Sequence, residues 1–441
     1  MASRELTGGY VDKIRRFSRN ARLYIMHVVG MDVIHGTWEV LFNLYLLAAG
    51  FSLQFIGLRL LIGGIAGAVA SIPMGVVSDR LGRKMGFILG DGVGALIGLV
   101  NIMTLNPTVL LITPLISEPF GVLHNVTEPP FMAENSEPPE RVHLFSVSGG
   151  IRVLAAMVGS AVAGAIPVLG RESVHFSFGE IPHHLLEAGL GSTISLYRVA
   201  VFIGLAGWFL SLIPAILLRG LKKGTLGPTD SKRNRWLRLG NVKHKARIIK
   251  LVVADAFTNV GAGFVVPLFS VFFLNAIGAD ELQIGTVFAI GAAALSAATF
   301  LAPYVSERLG KVRGVATFRM ASIPFILVVG LSPRLASMGI LGLPIPGVVL
   351  LVAALGYTLR SALMNMTGPL YDAFTMEILD PEERATATAI IAMDNSLLTS
   401  IGVFLGASLM GRGDFTTPFL IMTAFYFVST ALFYVFFKRT S

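Results

Sequence analysis

From Leu23 to Phe437 the sequence is a train of apolar stretches divided by short polar connections. Each stretch is near or above the ~20 residues that a helix needs to cross a bilayer. Twelve are read, at 23–49, 54–78, 85–104, 108–133, 144–169, 196–219, 248–276, 282–304, 314–332, 346–374, 385–410 and 417–437. The longer ones imply tilt or protrusion rather than extra passes. The fold class expected is therefore an all-α membrane protein. Composition agrees: 54% of the 441 residues are hydrophobic and only 14% are charged, against about 25% charged in soluble proteins. Mean hydropathy is +0.73.

The formal charge of +9 invites a nucleic-acid reading, but its placement points elsewhere. With the N-terminus, the 75–84 connection and every second connection after it on one face, that face holds 26 of the 35 Lys and Arg residues. The opposite face holds three, Arg171, Arg334 and Arg412, and the rest lie inside spans. This asymmetry puts both termini in the cytoplasm, and the basic stretches become topology determinants touching anionic lipid. Residues 1–22 are basic and polar, show no cleavable signal peptide, and are expected to lie on the membrane as a short amphipathic helix. The domains expected are that segment, a six-helix bundle over 23–219, a basic cytoplasmic linker over 220–247, a second bundle over 248–437, and a tail over 438–441.

The two bundles are expected to be copies of one another. Gly75-Val-Val-Ser-Asp79-Arg80-Leu-Gly82-Arg83-Lys84 returns as Pro303-Tyr-Val-Ser-Glu307-Arg308-Leu-Gly310-Lys311-Val312, displaced by 228 positions. At the same displacement Leu46 matches Leu274, Gly50 matches Gly278, and Ile56-Gly57 matches Ile284-Gly285. A second motif, Glu134 to Arg141, returns as Glu377 to Arg384 at a displacement of 243, where Gly159 also meets Gly402. One insertion of 15 residues near Ser332 to Pro346 explains both displacements. Two separate motifs agreeing on a parallel repeat are strong evidence for internal duplication.

The Gly-x-x-x-Asp-Arg-x-Gly-Arg-Lys loop after the second span, with its weaker copy in the second half, resembles the signature of the major facilitator superfamily of secondary transporters. That resemblance covers roughly residues 23–437. It implies two pseudo-symmetric six-helix bundles around a central cavity lined by helices 1, 4, 7 and 10. It also implies a gating role for Gly75, Asp79, Arg80, Gly82, Arg83, Lys84, Glu134 and Arg141, and for their counterparts Glu307, Arg308, Gly310, Lys311, Glu377 and Arg384. In the superfamily these charges latch the halves together on the cytoplasmic side when the cavity faces outward. Asp79 is then expected near Arg384 at the start of helix 11, where a carboxylate meets unpaired N–H groups. Glu134 is expected to pair with Arg80 or Arg83. The Arg and Gly-Pro features of drug–proton antiporters and the sugar-carrier pattern are missing, so no substrate subgroup follows.

Ionisable groups inside spans cost about 2.5–3.5 kcal/mol each on insertion scales and mark pathways. In helix 1, Asp32, His35, Glu39 and Asn43 fall within about 80° of one another at 100° per residue, one polar stripe on an apolar helix. Helix 4 adds Glu118, His124, Asn125 and Glu128; helix 7 adds Asp255 and Asn259; helix 10 adds Arg360, Asn365 and Tyr371. Helices 2, 5 and 11 add Arg59, Arg152 and Asp394. Asp32 and Glu39 are the expected proton sites, since buried carboxylates without partners titrate near neutrality. Their alternative is a structural ion pair with Arg152 or Arg59. The expected cavity residues are His35, Asn43, Glu118, His124, Asn125, Arg152, Asn259, Arg360, Asn365 and Asp394. Asp255 is read as either snorkelling to cytoplasmic water or facing the cavity. Asp91 and Arg319, equivalent at the displacement of 228, are expected to pair with loop charges.

No cofactor, enzymatic activity or nucleic-acid partner is expected. Cysteine is absent, which removes disulfides and thiolate sites, and no nucleophile–base pair, phosphate loop or cofactor fingerprint occurs. Glu118, His124 and Glu128 could ligate a transition ion, but their spacing is not that of a metal motif. The function expected is proton-coupled, alternating-access movement of a small organic solute by a monomer in the cell membrane, with export of amphipathic or cationic compounds favoured. Proton symport or uniport of a metabolite, lipid translocation, and a non-transporting sensor or scaffold are the alternatives.

Overall fold

The computed structural model describes residues 16–177, 193–219, 244–337 and 346–439; within these, the side chains of 138–142, 172–177, 300–307, 335–337 and 381–386 are not described. Most of the expected surface helix at 1–22, of the loop at 170–195 and of the linker at 220–247 lies outside the described residues. So do the side chains of Arg141, Glu307 and Arg384.

Twelve helical spans are found among the described residues: α1 Arg19–Ala48, α2 Leu53–Leu81, α3 Arg83–Met103, α4 Pro107–Glu134, α5 Pro138–Ser177, α6 Thr193–Ile216, α7 Lys245–Ile277, α8 Glu281–Leu309, α9 Lys311–Ser337, α10 Pro346–Ile378, α11 Pro381–Met410 and α12 Thr417–Phe437. Eleven are long and apolar enough to cross a membrane, and the chain is an integral membrane protein. The twelfth, α1, falls short in composition because its polar stripe dilutes its apolar residues; it is held instead by packing between α5 and α6. Two spans are broken. In α7 the helix Lys245–Gly263 gives way to a 3-10 turn at Val266–Leu268 and a π turn at Phe273–Ile277. Pro267 cannot donate to a helical ladder, and its own carbonyl is taken by the side chain of Asn43 on α1, 2.8 Å away. In α10 the break at Met366 precedes Pro369, which leaves no N–H for the Asn365 carbonyl.

The duplication read from sequence is present in the packing. Helix α1 lies on α5 and α6, α2 on α4, and α3 on α4 and α6; in the second half α7 lies on α11 and α12, α8 on α10, and α9 on α10 and α12. The turns agree as well. Gly50 and Gly278 have φ of 87° and 79°, and Gly82 and Gly310 have 84° and 74°. That left-handed backbone is costly with a Cβ, which is why these four positions kept glycine in both copies. Gly159 and Gly402 meet the same demand as each other: a Cβ on Gly159 would strike the Val33 carbonyl oxygen, and one on Gly402 the Val260 carbonyl oxygen. The reciprocal glycines Gly36 and Gly263 press on the carbonyls of Ala156 and Thr399. Backbone-to-backbone approach of this kind is how helices associate where lipid supplies no hydrophobic drive.

The halves join along α2–α11 and α5–α8. Ser400 and Phe404 crowd Gly64 and Gly57, Ser396 donates to the Gly64 carbonyl at 2.9 Å, and Gly164 lies against Gly285. These approaches fall in the half of the molecule nearest the 49–52, 278–280 and 411–416 turns, called here the turn end. The opposite end, carrying the duplicated signature, is the loop end. There, a Cβ on Gly75 would meet no atom of the described residues within 4 Å.

Candidate functional site: a polar cavity and two charged ends

The polar stripe of α1 divides into two parts. Asp32 accepts from Arg152 Nε of α5 at 3.1 Å, and the same guanidinium donates through Nη1 to Glu128 of α4 at 2.8 Å. Arg152 is thus clamped between two carboxylates, so the ion-pair alternative holds for Asp32 in this state. One turn on, His35 and Glu39 point into open space. Both are solvent-reachable, and neither has a hydrogen-bond or ion-pair partner among the described residues, although Glu39 lies deep in the protein and feels His35 electrostatically. A group surrounded by protein yet reachable by solvent is a cavity-wall group.

Glu118 of α4 faces the same space. It is exposed, lies over Gly63 and Gly67 of α2, and interacts electrostatically with Arg59 and His35. Arg59 itself is buried, its guanidinium 4.6 Å from the centre of the Phe42 ring. Asn125, two turns beyond Glu118 on the same face, is exposed. From the second half, Asn259 of α7 donates to Asp394 of α11 at 2.9 Å. The remaining expected residues are elsewhere. Asn43 is committed to Pro267, Asn365 donates to the Ser361 carbonyl at 2.9 Å, and Arg360 is buried against Tyr426 Oη at 2.7 Å and the ring of Phe269. Asn43 and Arg360 thus mend a break and pack helices, while Asn365 stays exposed beside the break in α10.

His124 also leaves the cavity. It turns to α3, where Asp91 Oδ2 lies 2.8 Å from His124 Nδ1 and 2.9 Å from His27 Nε2 of α1. All three are buried. In the second half Asp255 of α7 receives the Tyr371 hydroxyl and faces Arg319 of α9 at 3.7 Å. Asp91 and Arg319 therefore pair within the bundle cores, not with loop charges, and Asp255 is buried rather than snorkelling. Lipid depth forces this: a loop partner in water would have required each charge to leave the core it occupies. The signal was available in the sequence, because His27 and Asp255 are also 228 positions apart. The two pairs occupy matching places with their charges exchanged.

At the loop end, Arg83 is the hub. It donates to Asp79 Oδ1 at 3.0 Å, to Ser78 Oγ at 3.1 Å and to Glu134 Oε1 at 3.1 Å. Glu134 thus takes Arg83 of the two bases expected. In the second half Lys311 pairs with Glu377. Arg80 is exposed, Lys84 is half-buried beside Arg83, and Arg308 sits in the last turn of α8. Asp79 is engaged by Arg83 of its own loop, while the side chain of Arg384, its expected partner, is not described.

The turn end holds a clasp that the sequence did not announce. Glu281, the first residue of α8, is buried and receives Arg171 Nη2 of α5 at 2.6 Å together with the Tyr197 hydroxyl of α6. Both donors come from the first half, so this carboxylate ties the bundles together.

Residues 257–441 match the profile described as Major Facilitator Superfamily. The match covers the C-terminal part of the chain, and solved transporter structures are similar in fold to nearly all of it. The nucleoside transporter NupG is similar over 96% of this chain and 99% of its own, with 15% identity and a TM-score of 0.63. A D-xylose–proton symporter is similar over 97% and 98%, with 14% identity and a TM-score of 0.70. A bacterial homologue of the human lysosomal transporter Spinster, in an inward-facing and occupied conformation, is similar over 99% and 98%, with 15% identity and a TM-score of 0.64. Comparison with curated proteins gives no match. Twelve helices in two copies are thus a fold shared with these transporters.

Proposed function

We propose that the protein is a secondary transporter that moves a small cationic or amphipathic organic solute by alternating access, coupled to protons and in the direction of export. The observation that supports this reading is the cavity wall: Glu39 and Glu118 stand open to solvent, while Arg152 is spent on Asp32 and Glu128. The groups facing the cavity thus carry an excess of negative charge that a cation, or protons in its place, would balance. Competition between the two for the same carboxylates is antiport. Glu39 is the preferred coupling site, because Asp32 already has its countercharge. The halves touching at the turn end and parting near Gly75 correspond to a cavity open toward the loop end, which the Lys and Arg distribution puts in the cytoplasm. On this reading 23–219 and 248–437 are the rocking bundles, 220–247 is the linker, and the cell membrane is the site of action.

The test is lumenal pH in proteoliposomes under an imposed proton gradient, with pooled organic cations, sugars, nucleosides, amino acids and organic acids added in turn. Dissipation by the cation pool, abolished by Glu39→Gln, supports the reading. Counterflow of a labelled solute without proton movement would leave a uniporter and remove the coupling role of Glu39. Uptake is the second reading, favoured by likeness to a xylose–proton symporter in fold alone; dissipation by the sugar pool selects it.

A further inference from the structure

Outside the cavity, the first bundle contains a buried cluster whose hydrogen bonds do not balance without an added cation. His27 Nδ1 lies 2.8 Å from the Ser211 carbonyl oxygen of α6, and His27 Nε2 lies 2.9 Å from Asp91 Oδ2. Both neighbours accept: a carbonyl always, a carboxylate whenever ionised. A neutral imidazole has one N–H, so it can serve only one of them and sets a lone pair against the other. His124 Nδ1, 2.8 Å from the same Asp91 oxygen, must donate, while its Nε2 is buried without a hydrogen-bond partner among the described residues. His124 is thereby fixed as the neutral Nδ1–H form. The cluster as built closes only if one further proton sits between His27 Nε2 and Asp91 Oδ2, and imidazole nitrogen is the more basic of the two.

We propose that His27, Asp91 and His124 form a proton-binding site in the first bundle, separate from the cavity carboxylates. The second bundle shows what the site replaces. At the matching place Asp255 faces Arg319, an ion pair whose cation cannot lose its proton. In the first bundle the partner of the acid is titratable. The titratable and charged groups around the cluster are Tyr24 and Asp32 on α1, Glu128 on α4 and Arg152 on α5; the two carboxylates share the one guanidinium, so no neighbouring cation is left over for Asp91. The bound proton is therefore what compensates Asp91. Its loss opposes lone pairs at one of the two His27 contacts, loosening α1 from α3 or from α6. Because α1 also carries Asp32 and Glu39, occupancy of this site bears on the cavity wall. A divalent metal fits the same atoms less well: ligands about 2.0–2.1 Å from a tetrahedral zinc ion lie well over 3 Å apart, whereas these contacts have hydrogen-bond lengths.

Nitrogen-15 NMR of histidine-labelled full-length protein in lipid nanodiscs tests this without any substrate, so it stands whether or not the transport reading does. At neutral pH His27 is expected to show two protonated nitrogens and His124 one. The His27→Gln variant assigns the signals, and thermal unfolding confirms that it is folded. Asp91→Asn is expected to return His27 to one proton; if that variant does not fold, the wild-type spectrum still decides. A singly protonated His27 in the wild type, or one equivalent of bound metal by elemental analysis whose removal changes the His27 signals, overturns the proposal.

Discussion

Arg83 and Lys311 hold the same position in the two halves of the molecule, each paired with the acid that ends the fourth helix of its own bundle. Arg83 meets Glu134 at 3.1 Å, and Lys311 meets Glu377. The displacements are 228 for the bases and 243 for the acids, the two registers of the internal repeat. An ion pair preserved through duplication fastens the second–third helix connection of each bundle to that bundle's own fourth helix.

Glu134→Gln is expected to lower turnover several-fold with little loss of stability. The pair is partly exposed, and such pairs contribute about 0.2–1 kcal/mol. Arg83 would then be shared only with Asp79 and Ser78. The exchange Arg83→Glu with Glu134→Arg should recover part of the rate in solute counterflow. Full activity in the single variant would remove the pair from gating.

The Glu281 clasp predicts a shift in conformation. Glu281→Gln keeps the Tyr197 contact and weakens the one to Arg171, which should favour separation of the bundles at the turn end. The chain has no cysteine, so spin labels can be placed at Thr108→Cys and Arg412→Cys without background. Pulsed dipolar distances between them are expected to lengthen in the variant. An unchanged distribution in membranes would mean that the α2–α11 contacts alone set this state.

Asp32 and Glu39 should separate cleanly. Arg152→Gln leaves two half-buried carboxylates facing each other, a loss below the about 3–5 kcal/mol of a fully buried pair. Thermal unfolding is expected to fall accordingly and to recover in part when Glu128→Gln is added. Glu39→Gln removes a group with no such partner. It should leave the unfolding temperature nearly unchanged and abolish gradient-driven flux, and a large drop in stability would reassign Glu39 to structure.

At the turn before α12, Asp414 Oδ1 accepts from the backbone N–H groups of Thr416 and Thr417 at 3.2 and 3.0 Å. The Thr417 side-chain hydroxyl foremost, and these backbone bonds after it, hold its carboxyl below the usual carboxylate range. The sign follows. The stabilisation is present above the ordinary Asp pKa of about 3.9 and fades as pH falls through the lower folded value. Asp414→Ala is expected to cost about 1 kcal/mol at neutral pH, as loss of a helix cap does, and to show no such deficit in strong acid. Equal deficits at both pH values would assign the effect to packing.

What the sequence settled by itself was set by lipid and by duplication. Membrane-length apolar runs announced the spans, because a helix must cover a fixed thickness whatever it packs against. The repeat announced which glycines were obligatory: Gly50, Gly82, Gly278 and Gly310 answer to backbone dihedral angles, and Gly159 and Gly402 to carbonyls one helix away. The polar face of α1 was legible too, since angular position on a helix is a local property. The partners of those polar groups were not. Asp32 and Arg152 are 120 residues apart, Asn43 and Pro267 are 224, and His27 and Ser211 are 184. Nothing short of the packed bundle brings such pairs within reach. Tertiary structure alone therefore decided that Arg152 takes Asp32 and leaves Glu39 open, that Asn43 mends a broken helix, and that His124 turns from the cavity to Asp91. In each case a buried polar atom took the nearest partner the packing offered, because lipid offers none.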